Sequence, residues 1–131
     1  MITVYTLPNC HSAKAAQEWL EKQQLPYTTQ DMSKIPLTID EFKRILTLTT
    51  DGLNELLATR AFDYQTYASK LESLPLSDAL RLIQERPKLL KAPLIVSDSK
   101  LVIGFNRNEI RQFLPRSVRR LNLYSALLKA D

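Results

Sequence analysis

The chain opens on Ile2-Thr3-Val4-Tyr5, a run of β-branched and aromatic residues that predicts a strand over 2–6. A polar loop with Pro8 follows. Apolar positions then recur at helical spacing. Ala16, Trp19 and Leu20 share one face of a helix expected over 12–23, with Ser12 as its N-cap. Leu25-Pro26-Tyr27-Thr28-Thr29-Gln30 reads as a second short strand. A β-α-β start of this kind belongs to an α/β sheet.

The middle of the chain is helical and polar. Thr38-Ile39-Asp40-Glu41 has the form of a capping box: Thr accepts from the amide three residues on, and Glu reaches back to the Thr amide. The helix it starts is expected over 41–48, with Phe42, Ile45 and Leu46 as its apolar stripe. Asp51-Gly52 marks a turn, because glycine tolerates positive φ. Short helices are expected over 54–59, 65–71 and 78–85, separated by prolines at 75 and 87.

A β pattern then returns. Pro93-Leu94-Ile95-Val96 and Leu101-Val102-Ile103 flank the polar Ser97-Asp98-Ser99-Lys100, which predicts a hairpin. Asn106 or Asn108 is the expected cap of a helix over 109–114, ended by Pro115, and a last amphipathic helix is expected over 118–128. The order fits one domain over 1–131: a thioredoxin-like, four-stranded mixed sheet of the α/β class with a C-terminal helix. Its core is expected over about 1–34 and 88–131, with a helical insertion over about 35–87. Pro93, just before a strand, suits the position where thioredoxin-like folds place a cis-proline beside the redox loop; this rests on analogy with the fold, and the sequence leaves the isomer open.

Composition narrows the function classes. A chain of 131 residues is long enough for a core without staples. No apolar run approaches a membrane span, and the start lacks the features of a secretory leader. A single cysteine excludes a disulfide framework within the chain and fits a reducing, cytoplasmic setting. Charge is unevenly spread. Residues 1–65 carry 6 Lys/Arg against 8 Asp/Glu, and residues 66–131 carry 12 against 6. The basic second half points to an acidic or polyanionic neighbour. Arg107, Arg111, Arg116, Arg119 and Arg120 form its densest stretch, without the interleaved aromatics of a nucleic-acid reader.

Cys10 stands where a thioredoxin-like chain keeps its redox thiol, between the first strand and the first helix. A thiol at a helix N-terminus feels the partial positive charge of the aligned peptides, so Cys10 is the redox candidate. His11 and Lys14 are close in sequence. The pattern is Cys10-His11-Ser12-Ala13, so the second thiol of Cys-x-x-Cys is replaced by Ala13. The sequence has no metal-ligand cluster and no glycine-rich phosphate loop, and no cofactor is expected.

Several blocks, in order, carry a resemblance. They are Tyr5-Thr6 with Asn9-Cys10, Pro36-Leu37-Thr38-Ile39-Asp40-Glu41, Thr50-Asp51-Gly52, Leu82-Ile83-Gln84-Glu85 with Pro87, and Pro93-Leu94-Ile95-Val96. Gly104-Phe105-Asn106, Glu109-Ile110-Arg111 and Phe113-Leu114-Pro115-Arg116-Ser117-Val118-Arg119 complete the set. The chain resembles, nearly end to end, the Spx family of bacterial transcription regulators, relatives of glutaredoxin-like arsenate reductases. The resemblance implies docking on the C-terminal domain of the RNA polymerase α subunit, with promoter DNA met only in the polymerase complex. It implies a monomer when free, no membrane, and turnover by a protease or its adaptor. Gly52 matches the family's contact glycine. Tyr5, Cys10 and Leu48 lie in segments that border the same surface, and Arg60 matches a basic residue linked to promoter function.

The departures carry information too. Ala13 removes the family's disulfide switch. Ala92 stands where an arginine often anchors the oxidised form. Thr47 and Phe62 replace basic residues near the contact. The resemblance therefore implies a switchless regulator rather than an enzyme. The alternatives are a monothiol arsenate reductase or glutaredoxin-like thiol transferase using Cys10, with Arg60 and Arg107 left to hold an oxyanion, and a decoy that occupies polymerase without activating promoters.

Overall fold

The computed structural model describes residues 1–115. The helix expected over 118–128, and with it Arg116, Arg119 and Arg120, lies outside the described residues. Four strands, β1 (Ile2–Thr6), β2 (Tyr27–Asp31), β3 (Leu94–Val96) and β4 (Leu101–Ile103), form one sheet in the order β2-β1-β3-β4. β1 pairs parallel with β2, in the register Ile2 with Tyr27 and Thr6 with Asp31. It pairs antiparallel with β3, Val4 opposite Ile95. β3 and β4 make the hairpin, closed where Ser97 N donates to Lys100 O at 2.9 Å. The parallel pair requires a crossover, which α1 (His11–Lys22) supplies.

Alternation along the strands divides the core in two. Ile2, Val4, Ile95 and Val102 face one side and pack with Ala16 and Leu20 of α1 and with Ile110. Tyr5, Leu94 and Val96 face the other, where the helical middle covers them. That middle comprises α2 (Ile39–Thr47), α3 (Leu53–Leu56), α4 (Phe62–Ser73) and α5 (Leu76–Glu85). Phe42 and Ile45 of α2, Leu56 of α3 and Ile83 of α5 are almost fully buried in the same cluster as Tyr5 and Leu94. The insertion is thus the second layer of the sheet, and the fold is a thioredoxin-like α/β arrangement.

Some boundaries differ from expectation for physical reasons. Cys10, not Ser12, is the N-cap of α1, with extended φ and ψ and no side-chain cap bond; Ser12 lies inside the first turn. α1 ends on Gln24 at φ 57, whose neighbour Leu25 N donates to Leu20 O at 3.0 Å. This is a left-handed helix end made without glycine. α4 starts three residues early, on an Ala61 cap that offers no polar side chain. The piece expected as a helix over 109–114 is a short 3-10 turn, Ile110–Phe113. Asn106 nevertheless holds its entry, its Oδ1 accepting from Asn108 N at 2.8 Å and Glu109 N at 3.1 Å. The Ala92–Pro93 peptide is cis.

Candidate functional site

The loop between β1 and α1 is built on a tight backbone reversal, Asn9 at φ 60, which delivers Cys10 to the helix start. Cys10 is a free, half-buried thiol. It lies between two cavities. On one side, about 390 Å³ is lined by the loop and by the first turns of α1, including Asn9, His11 and Lys14. On the other, an apolar trough of about 460 Å³ runs to Ala58, Ala61, Leu90 and Ala92. Ala13 is 2% exposed, so the position of the missing second thiol is packed into the core. Ala92, whose peptide bond to Pro93 is cis, lines the trough with Cys10. Its methyl makes that part of the wall apolar.

Arg60 lines a second cavity, about 510 Å³, with Ala58, Thr59, Ala61 and Lys91. The two spaces share Ala58, Ala61 and Lys91 as lining residues; Cys10 lines only the first and Arg60 only the second. Arg107 does not join them. It lines a separate cavity with Trp19, Lys22 and Phe105, and this corrects its pairing with Arg60 as an oxyanion holder.

Gly52 lies at φ 72 and ψ −143, a backbone region open chiefly to glycine, and caps α3. Space around it is free: a Cβ there would meet nothing within 4 Å. The loop it sits in is held by one side chain. Glu55 Oε2 accepts from Thr50 N at 2.8 Å and from Asp51 N at 3.0 Å. Sequence reasoning missed Glu55, although its place three residues after Gly52 at a helix start was a usable signal. Leu48 is the C-cap of α2 and packs, partly buried, against the insertion core.

Tyr5 is 6% exposed, so it lies beneath this region rather than on its surface. Its hydroxyl donates to Glu41 Oε2 at 2.8 Å. Glu41 closes the expected capping box as well: Thr38 N donates to its Oε1 at 3.0 Å, and Glu41 N donates to Thr38 Oγ1 at 3.1 Å. Burial would raise the Glu41 pKa, but these hydrogen bonds outweigh it and hold the carboxyl below its ordinary value. Burial, followed by the Glu41 contact, pushes the Tyr5 phenol up to about 12. The site therefore has two parts. Cys10 and Arg60 line two adjoining cavities, Leu48 and Gly52 belong to the segment after α2, and Tyr5 supports α2 from within.

Comparison with known proteins fits this geometry. The ArsC family profile matches residues 5–113. The chain is 44% identical to the global transcriptional regulator Spx of Bacillus subtilis, over 96% of each chain. It is 43% identical to the Spx of Enterococcus faecalis, over 99% of this chain and 98% of that one. Among solved structures, a Staphylococcus aureus protein determined by NMR superposes with a TM-score of 0.75 at 30% identity, covering 88% of this chain and all of that one. A possible arsenate reductase from Streptococcus mutans superposes with a TM-score of 0.65 at 29% identity, over 81% and 92% of the two chains. With its profile match over 5–113 and its near-complete alignment to the named regulators, this chain belongs to the ArsC family and, within it, to the Spx proteins.

Proposed function

We propose that this protein is a transcription regulator that docks on the C-terminal domain of the RNA polymerase α subunit and has no internal disulfide switch. The relatives at 43–44% identity are named global transcriptional regulators, and this supports the regulatory role. The observation that carries the docking surface is Gly52: a positive-φ glycine with open space before it, on a loop braced by Glu55. A bare backbone there admits close approach of a partner. Leu48 borders that loop, Tyr5 and Glu41 hold α2 in place behind it, and Arg60 is the basic residue that the family resemblance links to promoter function. The switchless part rests on Ala13 and Ala92. One thiol forms no internal disulfide, and an alanine supplies no cation to hold an oxidised form.

The test is a pull-down with the isolated α C-terminal domain, with and without oxidant. Wild type is expected to bind equally in both, and Gly52→Arg is expected to lose binding while keeping its circular dichroism spectrum. Retained binding by that variant overturns the reading.

A monothiol enzyme is favoured by one observation, a half-buried Cys10 at a helix start beside a trough of about 460 Å³. Turnover of arsenate or a mixed disulfide with glutathione, lost in Cys10→Ser, would establish it. Against it stands Ala92 at the trough wall, with Arg107 directed to another cavity.

A further inference from the structure

The α1 side of the sheet carries a cleft of its own. Leu48 and Leu53, on either side of Gly52, pack on the insertion core, whereas Trp19 and Phe105 pack on the core beneath α1. Ala15, Glu18, Trp19 and Lys22 recur at helical spacing and form one stripe of α1. Phe105 and Arg107 come from the turn after β4, and together the six residues line about 290 Å³. Ala15 is the small member of the stripe, so the helix leaves room there. The turn opposite is held at both ends. Gly104, at φ 76, donates its N–H to Pro93 O at 2.7 Å. Asn106 Oδ1 accepts from Asn108 N and Glu109 N. Phe105 and Arg107 are therefore placed before any ligand arrives. Both rings are half-buried, and Lys22 and Arg107 are exposed. Among the described residues the one cation over a ring is Arg86, 5.6 Å from the centre of Tyr67. Neither Lys22 nor Arg107 thus covers a face of Trp19 or Phe105. Glu21, on the same helix, is already engaged, accepting from the Tyr27 hydroxyl at 2.6 Å.

We propose that this cleft binds a single nucleotide, its base against Trp19 and Phe105 and its phosphate on Lys22 and Arg107. Bases present flat faces that stack on aromatic side chains whatever their sequence. The guanidinium fork matches two phosphate oxygens, and the ammonium adds a compact charge beside it. Glu18 is the one carboxylate in the lining. It repels phosphate from its own end of the cleft and accepts from an N–H of the base or an O–H of the sugar. The volume of about 290 Å³ lies at the lower end for ligand pockets, about 300 Å³, and holds one nucleotide rather than two. An acidic peptide would use the cations and leave the rings without a flat partner. A free nucleotide and one unstacked residue of a single strand present the same chemistry here. The cleft shares no lining residue with the cavities beside Cys10 and Arg60, and it lies across the sheet from the Gly52 loop. Its occupancy is therefore independent of the polymerase reading.

Trp19 is the only tryptophan in the chain, so its fluorescence reports on this cleft alone. The test is a titration of the full chain with adenosine monophosphate, with adenosine and ribose phosphate as controls that lack the phosphate and the base. The nucleotide is expected to quench Trp19, to bind about tenfold more tightly than either control, and to weaken as salt rises from about 50 to about 300 mM. Lys22→Glu with Arg107→Glu, both exposed, is expected to keep its circular dichroism spectrum and to lose about tenfold or more in affinity. Lys34→Glu, an exposed cation outside the cleft, and Gly52→Arg are expected to bind like wild type. An adenine-only DNA oligonucleotide separates the two sources. Tighter binding of the oligonucleotide assigns the cleft to a residue of a strand, and tighter binding of the monophosphate assigns it to the free nucleotide; each supports the site. Absent quenching, equal binding of nucleotide and ribose phosphate or of nucleotide and adenosine, an equal loss in Lys34→Glu, or unchanged affinity in the folded double variant would overturn the proposal.

Discussion

The Tyr5 hydroxyl donates to Glu41 at 2.8 Å across 36 residues of chain, and so ties the first strand to the capping box of the second helix. The carboxylate ends up with both oxygens in use, one on Thr38 N and one on Tyr5. Because α2, capped by Thr38 and Leu48, leads into the Gly52 loop, this contact helps to hold that loop relative to the sheet. Tyr5→Phe keeps the ring and removes the bond. It is expected to lower stability by about 1–2 kcal/mol, read as a fall of several degrees in the thermal midpoint. Thr38→Ala is expected to cost about 1 kcal/mol through the same cap. A midpoint unchanged in Tyr5→Phe would mean that the bond exchanges freely with water.

The same pair sets a pH dependence. Glu41 has a folded pKa below its ordinary value of 4.5. Its contribution is therefore present above that value and lost as pH falls through the depressed folded pKa. Tyr5 has a folded pKa raised from 10.0 to about 12. Its contribution is complete below pH 10.0 and lost as pH rises from there to about 12. Urea titrations are expected to show a plateau between these limbs, with the alkaline limb shallower in Tyr5→Phe. An alkaline limb identical in that variant would assign it to other tyrosines.

Glu55 is expected to act on the Gly52 loop more than on the whole fold. Glu55→Ala frees two amides that its carboxylate now holds at 2.8 and 3.0 Å. Hydrogen exchange at Thr50 and Asp51 is expected to rise about tenfold or more, with a stability loss near 1 kcal/mol. Pull-down of the α C-terminal domain is expected to weaken, and Glu55→Gln to recover part of it. Unchanged exchange at both amides would show that the loop holds its shape without this side chain.

Much of this was legible because it is local. The capping box at Thr38, the hairpin around Ser97 and the turn glycine at 52 each depend on residues within a few positions, and all three lie where the pattern put them. What was not legible depends on neighbours far along the chain. β2 occupies Tyr27–Asp31, later than its apolar start suggests, because the register with β1 selects it. The helix ends at Gln24 and Ala61 lack the residue types that normally announce them. At the site, sequence matched Cys10, Arg60 and Gly52 to a family. It did not reveal that Arg60 lines a cavity adjoining that of Cys10, that Arg107 lies elsewhere, or that Tyr5 is a buried support.

The absent switch makes the sharpest prediction. Ala13 lies one helical turn beyond Cys10, and residues three apart on a helix hold their Cβ atoms about 5–6 Å apart. Small rotations at a helix start bring such a pair within disulfide geometry. Ala13 is buried, so a thiol there is shielded from other oxidants while remaining beside Cys10. Ala13→Cys is therefore expected to form an internal disulfide on mild oxidation, seen as a loss of two mass units with no added small thiol. Wild type under the same treatment is expected to add one small thiol at Cys10. If oxidised Ala13→Cys then binds polymerase differently from its reduced form while wild type stays indifferent, residue 13 alone decides whether this loop senses oxidant. If the disulfide forms and binding does not respond, the missing cation at Ala92 is the second requirement, and Ala13→Cys combined with Ala92→Arg is expected to restore the response.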